Sequence, residues 1–238
     1  MFLESVLSRN TPKRNPNIAY HWPVPVLSRK FGQYQKVNPE LIELFYDYRQ
    51  RHPSKAGSVY SSPDNFYEGI ENSGLSRLTQ FLTDSVFEVA ADANRNYWGK
   101  ATNIRVNLTG VWFQITNDYG FHETHIHGNC SWSGVYYVRA GDSSTGPDDL
   151  GSNGMPNGIT RFYGPHMEYT AGGHGDLGNL YLQDHTVDSY PEDGRLVVFP
   201  SHLKHMVFPY KGAEDRVIVS FHAQVFGDTE MRYGYSFS

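Results

Sequence analysis

The chain has 238 residues and a formal net charge of −5, with 39% hydrophobic and 15% aromatic residues. This composition supplies a sizeable apolar core and excludes a disordered chain. It offers no broad basic surface for nucleic acid or an anionic membrane, and no apolar run approaches the roughly 18 residues that span a bilayer. One cysteine, Cys130, excludes an internal disulfide and suits a reducing compartment. Because the start lacks the features of a secretory signal, we expect a cytoplasmic protein.

The first hundred residues predict an arm followed by two helices. A proline-rich start indicates an extended arm with a short edge strand at Val24–Leu27. Asn38 followed by Pro39 is typical of a helix N-cap and first helical position, and this helix should end near His52. A second helix is predicted over 74–97 because one apolar stripe recurs every three or four residues: Leu75, Leu78, Leu82, Val86, Val89, Ala93 and Tyr97.

From residue 103 the pattern changes to short runs rich in β-branched and aromatic residues. These runs predict strands at 103–116, 132–139, 160–164, 178–182, 194–199, 205–209 and 215–226. Two glycine-rich stretches, 141–158 and 164–178, are predicted loops and candidate lids. We expect one mainly β domain over 1–238, with an arm and supporting helices at 1–102 and a β core at 103–226.

Histidines are concentrated in two short windows. Five of the eleven lie within Phe121–His127 and Ser201–His205. Residues i and i+2 of a strand share a face, so His125 and His127 can bind one cation from a single short strand, with Glu123 in line behind them.

A third ligand must come from elsewhere in the fold, and His205 is the best candidate. It follows the apolar run Gly194–Pro200, which predicts a strand and a turn that deliver a histidine to the next strand. Imidazole suits iron, zinc, copper and nickel alike. Three protein ligands leave coordination sites open, as a catalytic metal requires. We expect His122 and His202 to be supporting or surface residues, and the pattern gives no role to His166, His174, His185 or His222.

Four sequence segments, the first of which contains the histidine pair, follow one another in a specific order. They are His125–His127, Ser131–Val138, Gly194–His205 and Arg216–Phe221, preceded by Trp22–Val26 and Gly57–Ser62. In this order they resemble the 2-oxoglutarate/Fe(II)-dependent dioxygenase superfamily, and within it an uncharacterised bacterial and phage branch related to the prolyl hydroxylases. The resemblance implies a double-stranded β-helix (jelly-roll) core, an Fe(II) cofactor, 2-oxoglutarate as co-substrate and O2.

The resemblance also assigns roles to individual residues. Superfamily members bind the far carboxylate of the co-substrate with an arginine downstream of the distal histidine, and Arg216 occupies that position. Its planar guanidinium can hold a carboxylate through two hydrogen bonds. Ser220, on the same strand face, and Tyr137 resemble further co-substrate-binding residues. The resemblance does not assign the residue near the metal-binding end of the keto acid, where strand alternation makes Trp112 and Gln114 the candidates.

At one position the chain departs from the superfamily pattern. The usual metal triad is H-x-D/E…H, and here His127 replaces the carboxylate, so that His125, His127 and His205 form the implied triad. A dianionic keto acid would still balance the double positive charge of a metal ion held by three histidines. Glu123 remains an alternative ligand if the alignment shifts by two residues.

The implied reaction is hydroxylation of a C–H bond in an amino acid, peptide or small metabolite, with release of succinate and CO2. A three-histidine cupin dioxygenase or isomerase without a keto acid is an alternative, although the usual glutamate after H-x-H is missing from Gly128–Ser131. A halogenase is disfavoured, because such enzymes replace the carboxylate with a small residue. The alternative outside the enzymes is a non-catalytic protein that binds a metal.

Overall fold

The computed structural model describes residues 24–54, 57–99, 102–164 and 185–228. The elements in these ranges are, in chain order, β1 (Leu27–Lys30), α1 (Tyr34–Arg51), β2 (Val59–Ser61), α2 (Ser73–Ala93), β3 (Thr102–Thr116), β4 (Gly120–His125), β5 (Trp132–Arg139), β6 (Thr160–Tyr163), β7 (Thr186–Ser189), β8 (Arg195–Pro200), β9 (His205–Tyr210) and β10 (Arg216–Asp228). Neither helix in this described part is long and apolar enough to cross a membrane.

Helix α2 follows the apolar stripe closely. The Asn72 side chain caps its start by accepting a hydrogen bond of 2.9 Å from the backbone N–H of Leu75. The helix ends at Ala93, four residues before the predicted end, because both the backbone N–H and the side chain of Asn94 bond back to the carbonyl of Ala90. Its buried apolar residues include Leu75, Leu78, Leu82, Val86 and Val89.

Helix α1 begins earlier than predicted, at Tyr34, and the expected N-cap at Asn38 is wrong. Asn38 is buried within the helix and is used for a tertiary contact instead. Its Nδ2 donates to the carbonyl of Val138 at 2.6 Å, and its Oδ1 accepts from the Tyr136 hydroxyl at 2.6 Å. These two bonds to β5 outweigh the local capping preference, and Pro39 consequently lies inside the helix.

The strands form two antiparallel sheets. The first has six strands in the order β1-β8-β5-β10-β3-β2, and the second has four in the order β4-β9-β6-β7. Residues from both sheets line one cavity between them. The predicted fold class, mainly β with N-terminal helices and a jelly-roll core, is confirmed.

Most predicted strands agree with the observed ones within two or three residues. The edge strand expected at Val24–Leu27 lies slightly later, as β1, at the edge of the six-stranded sheet. Strand β7 was not predicted, because its sequence Thr-Val-Asp-Ser has only one apolar residue and lies half-exposed at the edge of the four-stranded sheet. The strand predicted at 178–182 and the loop predicted at 164–178 lie, apart from residue 164, outside the described residues.

The main apolar core lies between the helices and the six-stranded sheet. The Phe45 ring of α1 stacks on the Phe113 ring of β3, with centroids 4.3 Å apart and planes 3° from parallel. Both residues are fully buried. Aromatic side chains bury a large apolar area each, so this contact fixes the helix on the sheet. The opposite face of the sheet is thereby left to line the cavity.

The glycine-rich loop at 141–158 is tied to the turn between β9 and β10. Asn157 Nδ2 donates to the carbonyls of Asp142 at 2.6 Å and Lys211 at 2.9 Å. This turn lies at the end of β9 opposite His205. The two ends of the loop are therefore held at the end of β9 opposite His205, and its role as a lid stays a prediction.

Candidate metal centre and co-substrate pocket

The structure brings the three predicted histidines together. His125 is the last residue of β4, His127 follows two residues later, and His205 begins β9. One ring nitrogen of each lies within 4.8 Å of the corresponding nitrogens of the other two. The ring centroids are 4.3 Å apart for His125 and His205, and 5.0 Å from either of these to His127. This spacing allows one metal ion to be bound by all three.

Main-chain carbonyls orient two of the imidazoles. His125 Nδ1 lies 2.6 Å from the carbonyl oxygen of Glu123, and His205 Nδ1 lies 2.9 Å from that of Leu203. A carbonyl can only accept, so Nδ1 is the protonated nitrogen and Nε2 presents its lone pair. His127 is held through its backbone, whose N–H donates to the carbonyl of Ser201 at 2.9 Å. Such outer contacts fix the tautomer that metal ligation needs.

The electrostatics of the site keep two of these imidazoles, those of His127 and His205, neutral. Burial, assisted by the neighbouring imidazoles, lowers the pKa of His127 to about 3. Burial also lowers the pKa of His205 to about 4, against an opposing hydrogen bond to Leu203. A histidine must be unprotonated to bind a metal, so both are ready to do so at neutral pH.

A β-bulge in β4 changes which residues accompany the triad. His122 lies opposite Val207 of β9 and His125 lies opposite His205, so that the register shifts between the two pairs. His122 and His125 therefore both line the cavity, whereas the Glu123 side chain is exposed. The expectation that Glu123 stands in line behind the histidines is wrong, because strand alternation is interrupted here.

The cavity has a volume of about 130 Å³ and extends between the two sheets. It is smaller than the roughly 300–1,000 Å³ of a typical small-molecule pocket, so it suits a compact ligand. Trp112 and Gln114 line it, as strand alternation predicted, and so does Ser220. Its polar lining also includes His122, His125, His127, Thr160, His205 and Arg216.

Arg216 is a buried cation facing this cavity. It is 1% exposed, and its Nε and Nη2 have no hydrogen-bond partner among the described residues. The guanidinium lies 5.3 Å from the ring centroid of Tyr137, whose hydroxyl lies 3.1 Å from Thr160 Oγ1. Burial lowers the pKa of Arg216. Because a buried charge without a counter-charge is costly, the pocket is suited to an anion that accepts hydrogen bonds from these two nitrogens.

The donor set therefore fits both groups that the superfamily resemblance implies. Three imidazoles whose arrangement leaves coordination sites open suit iron. A guanidinium with two nitrogens that lack a hydrogen-bond partner among the described residues suits the far carboxylate of a keto acid in the same small cavity. Tyr137 is fully buried beneath Arg216, and Ser220 lines the cavity on the same strand as Arg216.

Sequence reasoning missed His222. Its ring lies 4.6 Å from the His127 ring and 4.7 Å from the Trp112 ring, measured between centroids. Its Nε2 is buried and has no hydrogen-bond partner among the described residues. The available signal was strand alternation, because His222 follows Ser220 by two residues and shares its face. His202 is exposed.

The fold and the site together define a jelly-roll protein with a three-histidine centre and an anion pocket. Residues 110–222 match the model of a family described as putative 2OG-Fe(II) oxygenase. The match confirms the resemblance to the 2-oxoglutarate/Fe(II)-dependent oxygenases found in the sequence. Among curated proteins, none matches the chain in sequence.

Solved structures share the fold at low sequence identity. HygX from Streptomyces hygroscopicus, solved with nickel and 2-oxoglutarate, is 12% identical with a TM-score of 0.52, covering 87% of this chain and 84% of its own. The epimerase SnoN from nogalamycin biosynthesis is 10% identical with a TM-score of 0.52, covering 90% and 84%. A prolyl hydroxylase from Trichoplax adhaerens, solved with a peptide fragment, is 15% identical with a TM-score of 0.50, covering 84% and 82%.

Proposed function

We propose that this chain hydroxylates a C–H bond of an amino acid, a peptide or a small metabolite. In this proposal His125, His127 and His205 bind Fe(II), and Arg216, Ser220 and Tyr137 bind 2-oxoglutarate. Iron bound there, together with 2-oxoglutarate and O2, supplies the oxidising chemistry, with succinate and CO2 as the co-products.

The observation that carries the proposal is the state of Arg216. A guanidinium that is 1% exposed and has two nitrogens without a hydrogen-bond partner among the described residues is unfavourable unless an anion enters the cavity. A dicarboxylate keto acid meets this need with its far carboxylate, while its keto-acid end can reach the three histidines. A cupin that uses no keto acid would have no use for this cation, which favours the 2-oxoglutarate reaction over that alternative.

The other residues position the co-substrate and exclude water from it. The Tyr137 ring lies beneath the guanidinium and limits where Arg216 can point. Thr160 and Ser220 line the same cavity and offer hydroxyl groups that can donate to carboxylate oxygens. Because the cavity has a volume of only about 130 Å³, the co-substrate would fill it. The substrate that is to be hydroxylated would then have to approach from the opening of the cavity.

The choice of hydroxylation rests on the sequence resemblance to the prolyl hydroxylase branch. The shared fold alone does not select the reaction, because both an epimerase and a prolyl hydroxylase have it. The prolyl hydroxylase was solved in complex with a peptide fragment, which supports keeping a peptide among the candidate substrates.

Succinate release from 2-oxoglutarate tests the proposal. The purified protein with Fe(II) and ascorbate would be incubated with a panel of amino acids, peptides and metabolites, and succinate and hydroxylated products would be measured by mass spectrometry. We expect succinate formation that a matching substrate stimulates and that His205→Ala abolishes. The control is His202→Ala, which changes an exposed histidine three residues away.

Two results would contradict the proposal. Succinate formation that survives His205→Ala would remove the triad from the reaction. Product formation that proceeds without added 2-oxoglutarate would favour the cupin alternative.

A further inference from the structure

A fourth histidine, His122, faces the same cavity as the triad. The bulge in β4 turns both His122 and His125 toward the interior, although they are three residues apart. The Nε2 of His122 is buried and has no hydrogen-bond partner among the described residues. A buried imidazole nitrogen in this state is unfavourable unless a ligand or a water bonds to it.

The sheet register places His122 one level deeper in the barrel than the triad. His205 lies opposite His125 on one side and Phe162 on the other, which defines a row at the metal end. Val207, two residues along β9, lies opposite both His122 and Thr160. The next row inward therefore consists of His122, Val207 and Thr160.

This deeper row leads to Arg216. The Thr160 hydroxyl lies 3.1 Å from the Tyr137 hydroxyl, and the Arg216 guanidinium lies over the Tyr137 ring. After burial, which is the larger cause, the positive charge of Arg216 lowers the pKa of His122 to about 4. His122 is thus a neutral imidazole that faces the same space as the cation.

A role as a further metal ligand does not fit this position. The rings of His122 and His125 are 6.3 Å apart between centroids, farther than either triad partner is from His125. The nitrogens that lie within 4.8 Å of one another belong to His125, His127 and His205. His122 therefore faces the part of the cavity that lies inward from the three histidines.

We propose that His122 is a co-substrate-binding residue whose Nε2–H donates to the far carboxylate of 2-oxoglutarate. This inference rests on the proposed function. Arg216 would bond to the carboxylate from the six-stranded sheet, and His122 would bond to it from the four-stranded sheet. A carboxylate accepts up to about four hydrogen bonds, so it has room for both partners. His122 then favours keto acids with a second carboxylate over those without one.

Calorimetric titration of the manganese-loaded protein tests this inference. Two keto acids of equal chain length would be compared, 2-oxoglutarate and 2-oxopentanoate, since the second lacks the far carboxylate. We expect His122→Phe to raise the Kd for 2-oxoglutarate by about 10-fold or more, the effect of losing a hydrogen bond to a charged group. The same variant should bind 2-oxopentanoate as the wild type does.

Conservative and matched variants separate binding from a structural effect. His122→Gln offers an amide N–H and should recover most of the affinity. His202→Phe, which changes an exposed histidine, should leave both titrations unchanged. Manganese affinity, measured by electron paramagnetic resonance, should be the same in all variants. If His122→Phe does not fold, as judged by circular dichroism, His122→Asn replaces it, because its amide is too short to reach.

The possible outcomes distinguish the two proposals. Unchanged 2-oxoglutarate affinity in His122→Phe would overturn the inference about His122. Equal weakening of both keto acids, or a loss of manganese affinity, would also overturn it, because His122 would then act through the metal site. A wild-type protein that binds manganese but not 2-oxoglutarate would instead contradict the proposed function itself.

Discussion

The two faces of the six-stranded sheet differ in whether their buried side chains have the packing or hydrogen-bond partners that they need. On strand β10, the residues that belong to the core beneath the helices are Val217, Val219, Phe221 and Ala223. The alternate residues Arg216, Ile218 and Ser220 line the cavity, and His222 follows on the same face against the His127 ring. Of these, Arg216 and His222 have buried nitrogens with no hydrogen-bond partner among the described residues. One strand thus separates an apolar, closely packed face from a polar, unsatisfied one.

The difference indicates where stability and function are located. Burial of apolar area is the main source of folding free energy, so the helix-facing side should dominate stability. Unsatisfied buried polar groups reduce stability, and they persist where a ligand satisfies them. Substitutions on the two faces should therefore have opposite signatures: loss of stability on one side, and loss of binding with stability retained on the other.

The largest loss of stability is expected from Phe113→Ala on the helix-facing side. Phe113 is fully buried and contacts the rings of Phe45, Phe66, Tyr48 and Tyr60. Its truncation should lower the free energy of unfolding by about 3–5 kcal/mol, measured by urea denaturation. Phe226→Ala, at a residue of the same sheet that is 43% exposed, is the control and should cost less than about 1 kcal/mol. Equal losses in the two variants would contradict the comparison.

Arg216→Met should show the opposite signature. Removing a buried cation that has no carboxylate partner among the described residues should leave the free energy of unfolding unchanged or raise it. The affinity for 2-oxoglutarate should fall by roughly 30-fold or more, because a buried hydrogen-bonded charge partner is lost. Calorimetry and urea denaturation measure the two quantities. Arg105→Met, an exposed arginine on β3, should change neither.

Gly134→Ala tests how tightly the helix-facing side is packed. A Cβ on Gly134 would overlap the Phe221 ring and lie 2.8 Å from the carbonyl oxygen of Val197. The overlap should lower the free energy of unfolding by about 1–3 kcal/mol, measured by thermal or urea denaturation. Gly146→Ala places its Cβ in open space and should have little effect. If Gly134→Ala left the free energy of unfolding unchanged, the core would accommodate the added methyl group, which would contradict tight packing on this side.

The cavity-facing side should make the metal-free protein sensitive to acid. The pKa values of His122, His127 and His205 are lowered to about 4, 3 and 4, so at pH 5 the unfolded chain binds protons that the folded chain does not. Stability should therefore fall as the pH drops from about 6.5 toward 4, by about 1 kcal/mol or more between pH 7 and pH 5. Urea denaturation in a chelator measures this.

A variant and a control define the source of the acid effect. His127→Asn should show a smaller loss between pH 7 and pH 5, because one depressed pKa has been removed. His202→Gln, at an exposed position, should behave as the wild type. An identical pH response in His127→Asn would contradict the assignment.

Much of this arrangement could be predicted from the sequence, because strand alternation and ligand spacing are local signals. His125, His127 and His205 were found from an i, i+2 pair and an apolar run that ends before the third histidine. Arg216 was found from its resemblance to the superfamily position. Alternation alone would also have found His222, whose place on β10 follows from Ser220.

The features that were missed depend on contacts between distant segments. The bulge in β4 exchanges Glu123 for His122 inside the cavity, and it arises from the pairing with β9, which no local pattern reports. Asn38 is typical of an N-cap, yet its bonds to β5 determine its place within α1. The position of the loop at 141–158 depends likewise on its bonds to the distant β9–β10 turn.

Anaerobic absorption spectroscopy of the iron(II) protein tests the central claim most directly, because it reports whether one keto acid contacts the metal and Arg216 together. Adding 2-oxoglutarate to the wild type should produce a visible charge-transfer band that saturates, and Arg216→Ala should require a much higher concentration to reach it. No band in the wild type at saturating 2-oxoglutarate, or the same concentration dependence in Arg216→Ala, would contradict the account.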